Sequence, residues 1–219
     1  METLDEATAV IQRELTSDDS DIRTEYLSHF AADSQRFSVA MARAVMKWRD
    51  IDNCMGDERR AYVSALVHSA ISMHIVSFKL LLSGHIVAAG NVFRQVVEAI
   101  ALSLLFSSKD LPFLAGFMDG KYSTKNAVRD VVKNWKKLGL LGGASKQLQN
   151  AQDFYSQYSH ITRLTLANSI SFSEPGAYLG ACFDVGKIDA YRKEVAGRVS
   201  LSEVFANFIA AVQANLAKW

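Results

Sequence analysis

The sequence predicts an all-α protein, folded as an up-and-down helical bundle of about seven helices in a single domain covering residues 1–219. Of the 219 residues, 49% are hydrophobic and 21% are charged, which is enough to build one substantial core. Only two prolines occur in the chain, and this scarcity favours long uninterrupted helices. Apolar residues at helical spacing also fill most of residues 61–106.

The first 20 residues are predicted to form an acidic N-terminal arm. A short amphipathic helix is expected at residues 4–15, and the polar link TSDDSD after it is typical of a helix start. A long second helix is predicted at residues 22–49. Gly56 and Asp57 should separate it from the next helix, because glycine tolerates the left-handed C′ position and aspartate can accept hydrogen bonds from the first free amides.

Two long apolar helices come next. The third helix is predicted at residues 58–82, and the fourth continues from the break at Ser83 and Gly84 to about Phe106. Because this connection is so short, the two helices should be antiparallel neighbours.

These two helices raise the question of a membrane span. Residues 62–78 contain no Asp, Glu, Lys or Arg and are nearly long enough to cross a bilayer. The next helix, however, carries Arg94 and Glu98 near its middle, where hydrocarbon would destabilise each charge by about a few kcal/mol. We therefore predict that both are core helices of a soluble protein.

The second half of the chain is also mostly helical by its pattern. A short helix is predicted near Pro112, and another runs from Ser123 or Thr124 to Gly139. Gly142 and Gly143 precede a longer helix, which is expected to end near Arg163.

The pattern changes after this helix. Residues 167–186 combine serine, glycine and aromatic residues without helical periodicity, which predicts a loop or an irregular hairpin. Helix resumes over residues 187–219. Ser200 and Glu203 have the form of a capping box that could divide this last helix in two.

A polar stripe on the fourth helix is the best sign of a functional site. Arg94 and Glu98 are four residues apart in an otherwise apolar helix, so they can pair on one face. If that face is buried, the pair needs further hydrogen-bonding partners, which the segment QDFYSQYSHITR can supply. A histidine there could act as a proton shuttle or a switch near neutral pH. The candidate polar cluster consists of Arg94, Glu98, Tyr155, Tyr158, Ser159 and His160.

The same residues also have an interpretation without a functional site. In it, Tyr155 and Tyr158 lie at the edge of the core, and His160 is an ordinary satisfied polar residue. Arg94 and Glu98 would then lie on a narrow face exposed to solvent.

Two short motifs, FRQVVEA on one helix and YSQYSH before the irregular segment, resemble bacterial helical proteins grouped near the HEPN and abortive-infection (AbiV-like) families. The resemblance covers about residue 61 to the C-terminus. It implies a cytoplasmic helical bundle, often dimeric, with a role in phage defence or RNA cleavage. Catalytic HEPN proteins share an Arg-x4-6-His pattern on a late helix. His160 has no arginine at that distance before it, and the one match, Arg23 with His29, lies early in the chain.

A second candidate surface is basic. Seven Lys or Arg residues and two Asp residues occur in residues 119–146, a balance of +5, with Tyr122 and Trp135 among them. Cations with interleaved aromatic rings can bind phosphates and stack on unpaired bases. Residues 1–25 carry eight acidic and two basic residues, a balance of −6, so the arm could instead cover this face within a subunit or across a dimer. The possible phosphate-binding residues, which could equally form a solvated face, are Lys121, Lys125, Arg129, Lys133 and Lys137.

Several other functions find no support in the sequence. Cys54 and Cys182 have neither disulfide-rich nor zinc-type spacing, and no phosphate loop, HExxH motif or nucleophile elbow occurs, so we expect no metal and no cofactor. The acidic N-terminus lacks the features of a signal peptide, which predicts a cytoplasmic protein. We expect a homodimer that acts by binding, in phage defence or a stress response, with RNA as a weaker candidate partner. The alternative is a metal-independent ribonuclease of the HEPN type.

Overall fold

The structure, a computed structural model, describes residues 3–52 and 58–218. It is 79% helical and has no β-strands within the described residues, which confirms the predicted all-α bundle. The described chain contains nine α-helices: α1 Leu4–Thr16, α2 Ser20–Asp52, α3 Glu58–Leu82, α4 Ile86–Ser107, α5 Phe113–Met118, α6 Ala127–Asn134, α7 Gly142–Tyr155, α8 Arg163–Ser169 and α9 Ile188–Leu216. Gly56, Asp57 and Cys54, which entered the predictions above, lie outside the described residues.

Helix α4 is the centre of the bundle. It packs most extensively against α3 and also contacts α6, α7 and α9. Fifteen of its residues are buried, because apolar side chains occur on nearly every side of it rather than on one stripe. The helices around α4 therefore depend on it for their packing, and its polar side chains lie where several elements meet.

Helices α2, α3 and α9 form the other large layer of contacts, since α2 packs along α9 and against α3. The turn between α3 and α4 occurs at Ser83 and Gly84, as predicted. Gly84 has a φ of +81°, and a Cβ there would collide with the backbone of Cys182. Glycine is therefore required both for the turn and for the close approach of the later loop.

The helix predicted to follow Gly142 and Gly143 and to end near Arg163 is wrong in its second half. Helix α7 ends at Tyr155, a 3-10 turn covers Ser156–Ser159, and His160 is extended with φ −134° and ψ 161°. A new helix, α8, starts after Thr162, whose side chain accepts a hydrogen bond from the amide of Thr165. The capping box at Thr162 starts a separate helix, so the predicted helix does not continue through this segment.

The C-terminal region differs from the prediction at two points. Residues 167–169 belong to α8, and the irregular segment begins at Ile170, which forms an isolated antiparallel bridge with Ala177. Helix α9 is continuous through Ser200, so the expected division there is wrong. An unbroken buried face from Tyr191 to Phe205 explains this continuity.

Within the part of the chain that the structure describes, three helical stretches are apolar enough, by length and composition only, to cross a membrane: Glu58–Leu82, Ile86–Ser107 and Val185–Leu216. No membrane is part of the structure. In Ile86–Ser107, 61% of the apolar window is buried against other parts of the protein.

Candidate functional site

A deeply buried ion pair lies on α9. Glu194 and Arg198 are four residues apart on one face, and their Oε2 and Nη1 atoms are 2.6 Å apart. The Arg198 side chain is completely buried, whereas 9% of the Glu194 side chain is exposed. A pair this deep must gain further hydrogen bonds to offset the loss of solvation.

Two tyrosines from the α7 region complete the coordination of the carboxylate. The hydroxyl of Tyr155 donates to Oε2 of Glu194 at 3.0 Å, and the hydroxyl of Tyr158 donates to Oε1 at 2.8 Å. Burial, followed by the charge of Glu194, raises the pKa of Tyr158 well above its ordinary value. The tyrosine hydroxyls therefore remain protonated donors, and both oxygens of Glu194 are engaged.

The guanidinium of Arg198 is held by polar and aromatic contacts. Its Nε donates to the Ser77 hydroxyl at 3.0 Å, and Nη1 also donates to the Glu194 carbonyl at 3.1 Å. The group lies over the rings of Phe93 and Tyr155, at 4.9 and 5.6 Å from their centroids. Nη2 has no hydrogen-bond partner within the described residues.

A buried histidine borders this group. Nε2 of His74 is 3.1 Å from the carbonyl oxygen of Arg198, so this nitrogen carries the proton and donates it. Burial, followed by repulsion from the Arg198 guanidinium, lowers the pKa of His74 to about 3. His74 is therefore neutral near pH 7. We call this set the buried polar centre; it consists of His74, Ser77, Tyr155, Tyr158, Glu194 and Arg198.

The predicted pair of Arg94 and Glu98 forms a second, shallower layer. Arg94 Nη2 is 3.3 Å from Glu98 Oε1, and 32% and 18% of the two side chains are exposed. Arg94 Nη1 donates to the Ser159 hydroxyl at 3.0 Å, and Gln152 donates to Glu98 at 3.3 Å. These four residues and Asn91 are the polar rim.

Asn91 connects the polar rim to the buried polar centre. Its side-chain amide donates to the carbonyl of Tyr158 at 2.9 Å, and its side-chain oxygen accepts from Ser159 at 3.0 Å. Helix α4 therefore holds the 3-10 turn after α7 at two successive residues. The contacts of Asn91 therefore fix the position of this turn relative to α4.

His160 does not join the predicted cluster. Its side chain is exposed, and among the described residues its recorded hydrogen bond is made by its carbonyl, which accepts from Thr165 at 3.2 Å. The extended backbone at His160 directs the chain toward α8 instead of continuing the helix. Of the predicted cluster, the structure joins Arg94 with Glu98 and Ser159. The hydroxyls of Tyr155 and Tyr158 bond to Glu194 instead of to that pair.

The residues that sequence reasoning missed are those on the partner helices, mainly Glu194 and Arg198. Their spacing is the same i, i+4 spacing that identified Arg94 and Glu98. They also lie on the face that carries Tyr191, Val195 and other buried residues of α9. A search of every helix for charge pairs on the apolar face would have found them.

The basic residues are less regular than the sequence spacing suggests. Only Arg129 and Lys133 lie in α6, since Lys121 precedes a 3-10 turn, Lys125 lies in that turn and Lys137 follows the helix. All five are exposed. Asp130 is buried and accepts hydrogen bonds from Tyr122 and Arg129.

The chemistry open to the buried polar centre is limited. Its carboxylate oxygens, the Nε2 atom of its imidazole and most of its guanidinium are engaged in hydrogen bonds. Nδ1 of His74 has no hydrogen-bond partner within the described residues, but it is shielded from solvent with the rest of the centre. A catalytic base or nucleophile must reach its substrate, and these groups are enclosed. No cluster of three or more His, Cys, Asp or Glu suited to a metal occurs in the described part of the chain. The arrangement is suited to joining α3, α4, α7 and α9.

The chain matches no protein-family model, no curated protein and no solved structure in the comparisons made. The resemblance to the HEPN and abortive-infection families therefore stays a prediction from its two short motifs.

Proposed function

We propose that the protein is a water-soluble, cytoplasmic helical bundle that acts by binding an anionic partner. The contact surface in this proposal is the basic segment, which we define as residues 119–146. The observation that carries the proposal is the exposure of its cations without matching anions nearby. Lys125, Lys133 and Lys137 are exposed and form no ion pair among the described residues.

The acids within the basic segment neutralise little of this charge. Asp119 pairs with Lys121 at 3.0 Å, and Asp130 pairs with Arg129 at 3.3 Å. The two pairs leave the +5 balance of the segment uncompensated. Concentrated positive charge attracts anionic partners and accelerates their association.

The rest of the molecule supports a binding role by holding this surface in place. α6 packs against α4 and α7, and Asn215 of α9 donates to the carbonyl of Leu138 at 3.3 Å. The buried polar centre connects the end of α7 to α9 through the hydrogen bond between Tyr155 and Glu194. Because its residues are already held in place, such a surface loses little conformational entropy when it binds a partner.

Water solubility belongs to the same proposal. The apolar residues of α4 are occupied by contacts with other helices, and α9 carries Glu194 and Arg198 within its apolar face. Charges at such positions destabilise a helix in hydrocarbon. A soluble bundle therefore accounts for the composition of both helices.

Heparin serves as a generic polyanion to test the basic segment. At about 50 mM salt we expect the native chain to be retained on immobilised heparin and released as salt rises, because bound cations displace counterions. A variant with three neutralised cations should elute at clearly lower salt. Its substitutions are Lys125→Gln, Lys133→Gln and Lys137→Gln.

The matched control removes three exposed cations elsewhere, so that both variants have the same net charge. Its substitutions are Arg43→Gln, Lys79→Gln and Lys193→Gln. If the control variant elutes at the same salt concentration as the native protein, the result supports a localised binding surface. Equal elution of the two variants contradicts the proposal, because retention would then depend on total charge alone.

A further inference from the structure

The N-terminal arm leaves an apolar helical face uncovered. Helix α1 has no buried residue, and Leu4, Ile11 and Leu15 lie on one face with 82%, 51% and 80% of their surfaces exposed. Glu14 attaches the helix to the later loop by accepting a hydrogen bond from the Ala181 amide at 2.9 Å. A helix of 13 residues is marginally stable alone in water, so this face gains stability by packing against another surface.

The basic segment is bordered by uncovered apolar side chains. Phe117 and Met118, directly before it, are 36% and 49% exposed, and Leu141 within it is 80% exposed. Cations and apolar side chains therefore occur together on this part of the surface. An amphipathic helix with acidic residues matches both properties.

The charges of the two regions are complementary. Residues 1–25 have a balance of −6, and the basic segment has a balance of +5. Asp5, Asp21 and Glu25 are exposed and form no ion pair among the described residues. The structure does not bring α1 into extensive contact with α6 or with any other helix of its own chain.

The two regions lie at opposite ends of α4. The arm is fixed at the N-terminal end, where Oδ2 of Asp19 is 2.9 Å from Nε2 of His85, the residue before α4. The basic segment lies at the C-terminal end, where Asn215 donates both to the Leu138 carbonyl and to Ser107, the last residue of α4. The 22 residues of α4 span about 33 Å, and the 13 residues of α1 span about 20 Å. With Asp19 held at His85, α1 makes no extensive contact with α6 of its own chain in this structure.

We infer that the anionic partner of the basic segment is the N-terminal arm of a second copy, and that two copies exchange arms in an antiparallel dimer. This inference rests on the binding function proposed above, and immobilised heparin, a strong polyanion, then competes with the arm for the same cations. Two copies aligned side by side in opposite directions place each arm over the basic segment of the other. The two contacts are equivalent, so the dimer is closed by a two-fold axis and does not extend into a filament.

A second copy, as the partner, accounts for more of the exposed side chains than a nucleic acid does. A nucleic acid would neutralise the lysines but would leave Leu4, Ile11 and Leu15 exposed at the other end of the molecule. The arm of a second copy brings apolar and acidic side chains to the basic segment together. It therefore buries the exposed faces of both regions in one contact.

The test measures molar mass by size-exclusion chromatography with light scattering on the full-length chain. We expect a dimer at about 50 mM salt and dissociation toward monomer at about 500 mM, where charges are strongly screened. Reversing acidic charges within residues 1–25, one on α1 and two near the start of α2, by Asp5→Lys, Asp21→Lys and Glu25→Lys should raise the dimer dissociation constant at least about tenfold. Reversing the segment charges by Lys125→Glu, Lys133→Glu and Lys137→Glu should have the same effect.

A variant that carries both reversed sets again has opposite charges in the two regions, with the signs exchanged. This combined variant should therefore dimerise again at low salt. This recovery also shows that the variants fold. Leu15→Asp should weaken the dimer, whereas Met46→Asp is the control because Met46 on α2 is also exposed, at 68%, but lies outside both regions.

The outcomes separate the inference from the proposed function. A dimer that is unaffected by either reversed set, or a monomer at low salt, overturns the inference. If that monomer still binds heparin or a single-stranded RNA of about 20 nucleotides through Lys125, Lys133 and Lys137, the binding function stands with a different partner. If it binds neither, both proposals fail.

Discussion

Glu194 and Arg198 show how a single polar contact can unite several helices. The carboxylate accepts from two tyrosines of one segment, and the guanidinium reaches Ser77 on another. A buried pair of this kind is often no more stabilising than apolar residues of the same size. Removal of one member, however, leaves an uncompensated charge in the core.

Arg198→Met should therefore lower the free energy of unfolding by about 3–5 kcal/mol, because Glu194 then stays buried without its cation. Replacing both residues by Met should recover part of this loss. The measurement is urea denaturation followed by circular dichroism. Arg192→Met on the same helix is the control, since 63% of this side chain is exposed and the loss should be below about 1 kcal/mol. Similar losses in Arg198→Met and Arg192→Met would contradict the role of the buried pair.

His74 makes the stability of the protein depend on pH. Its pKa is about 3 in the folded chain, whereas an unfolded histidine has a pKa of about 6.5. Between these values only the unfolded chain takes up the proton, so the folded state loses stability as pH falls through this range. The expected loss from His74 is about 2 kcal/mol between pH 7 and pH 5.

His74→Gln should flatten the pH profile of unfolding free energy over this range, even if it lowers stability at pH 7. Urea titrations at several pH values measure the slope. His160→Gln is the matched control, because the His160 side chain is exposed. This variant should show the same slope as the native protein. A native slope retained in His74→Gln would show that another group causes the pH dependence.

At the scale of elements, α4 positions the segment after α7 by a close steric fit. The ring of Tyr158 packs directly on Gly90, where a Cβ atom would overlap the ring carbons. The side chain of Asn91, the next residue, donates one hydrogen bond to this turn and accepts another from it. This fit and the Thr162 cap together end the helix near Tyr155.

Gly90→Ala should destabilise the protein by about 1–3 kcal/mol, because the tyrosine ring must move although alanine is the better helix former. Urea unfolding measures the change. Gly143→Ala in α7 is the control, since nothing lies within 4 Å of the added atom and stability should stay equal or rise by up to about 1 kcal/mol. A neutral Gly90→Ala variant would mean that Tyr158 has room to shift.

At the scale of the whole molecule, charge is distributed unevenly although the net charge is only +1. The acidic arm lies at one end of α4 and the basic segment at the other. In the proposed dimer this distribution would favour an antiparallel orientation of the two copies, and salt would weaken their attraction. The proposed dimer and the proposed binding surface both follow from this distribution.

The sequence by itself determined the all-α class, the long helices and the break at Ser83 and Gly84. These features depend on periodicity, scarce proline and glycine conformation, which act within a few residues. It also identified the polar face of Arg94 and Glu98 and the two tyrosines. Only the tertiary structure decided that both tyrosines bind Glu194, which follows Tyr158 by 36 residues. Helical spacing shows which residues share a face, but the partner across that face depends on how distant helices pack.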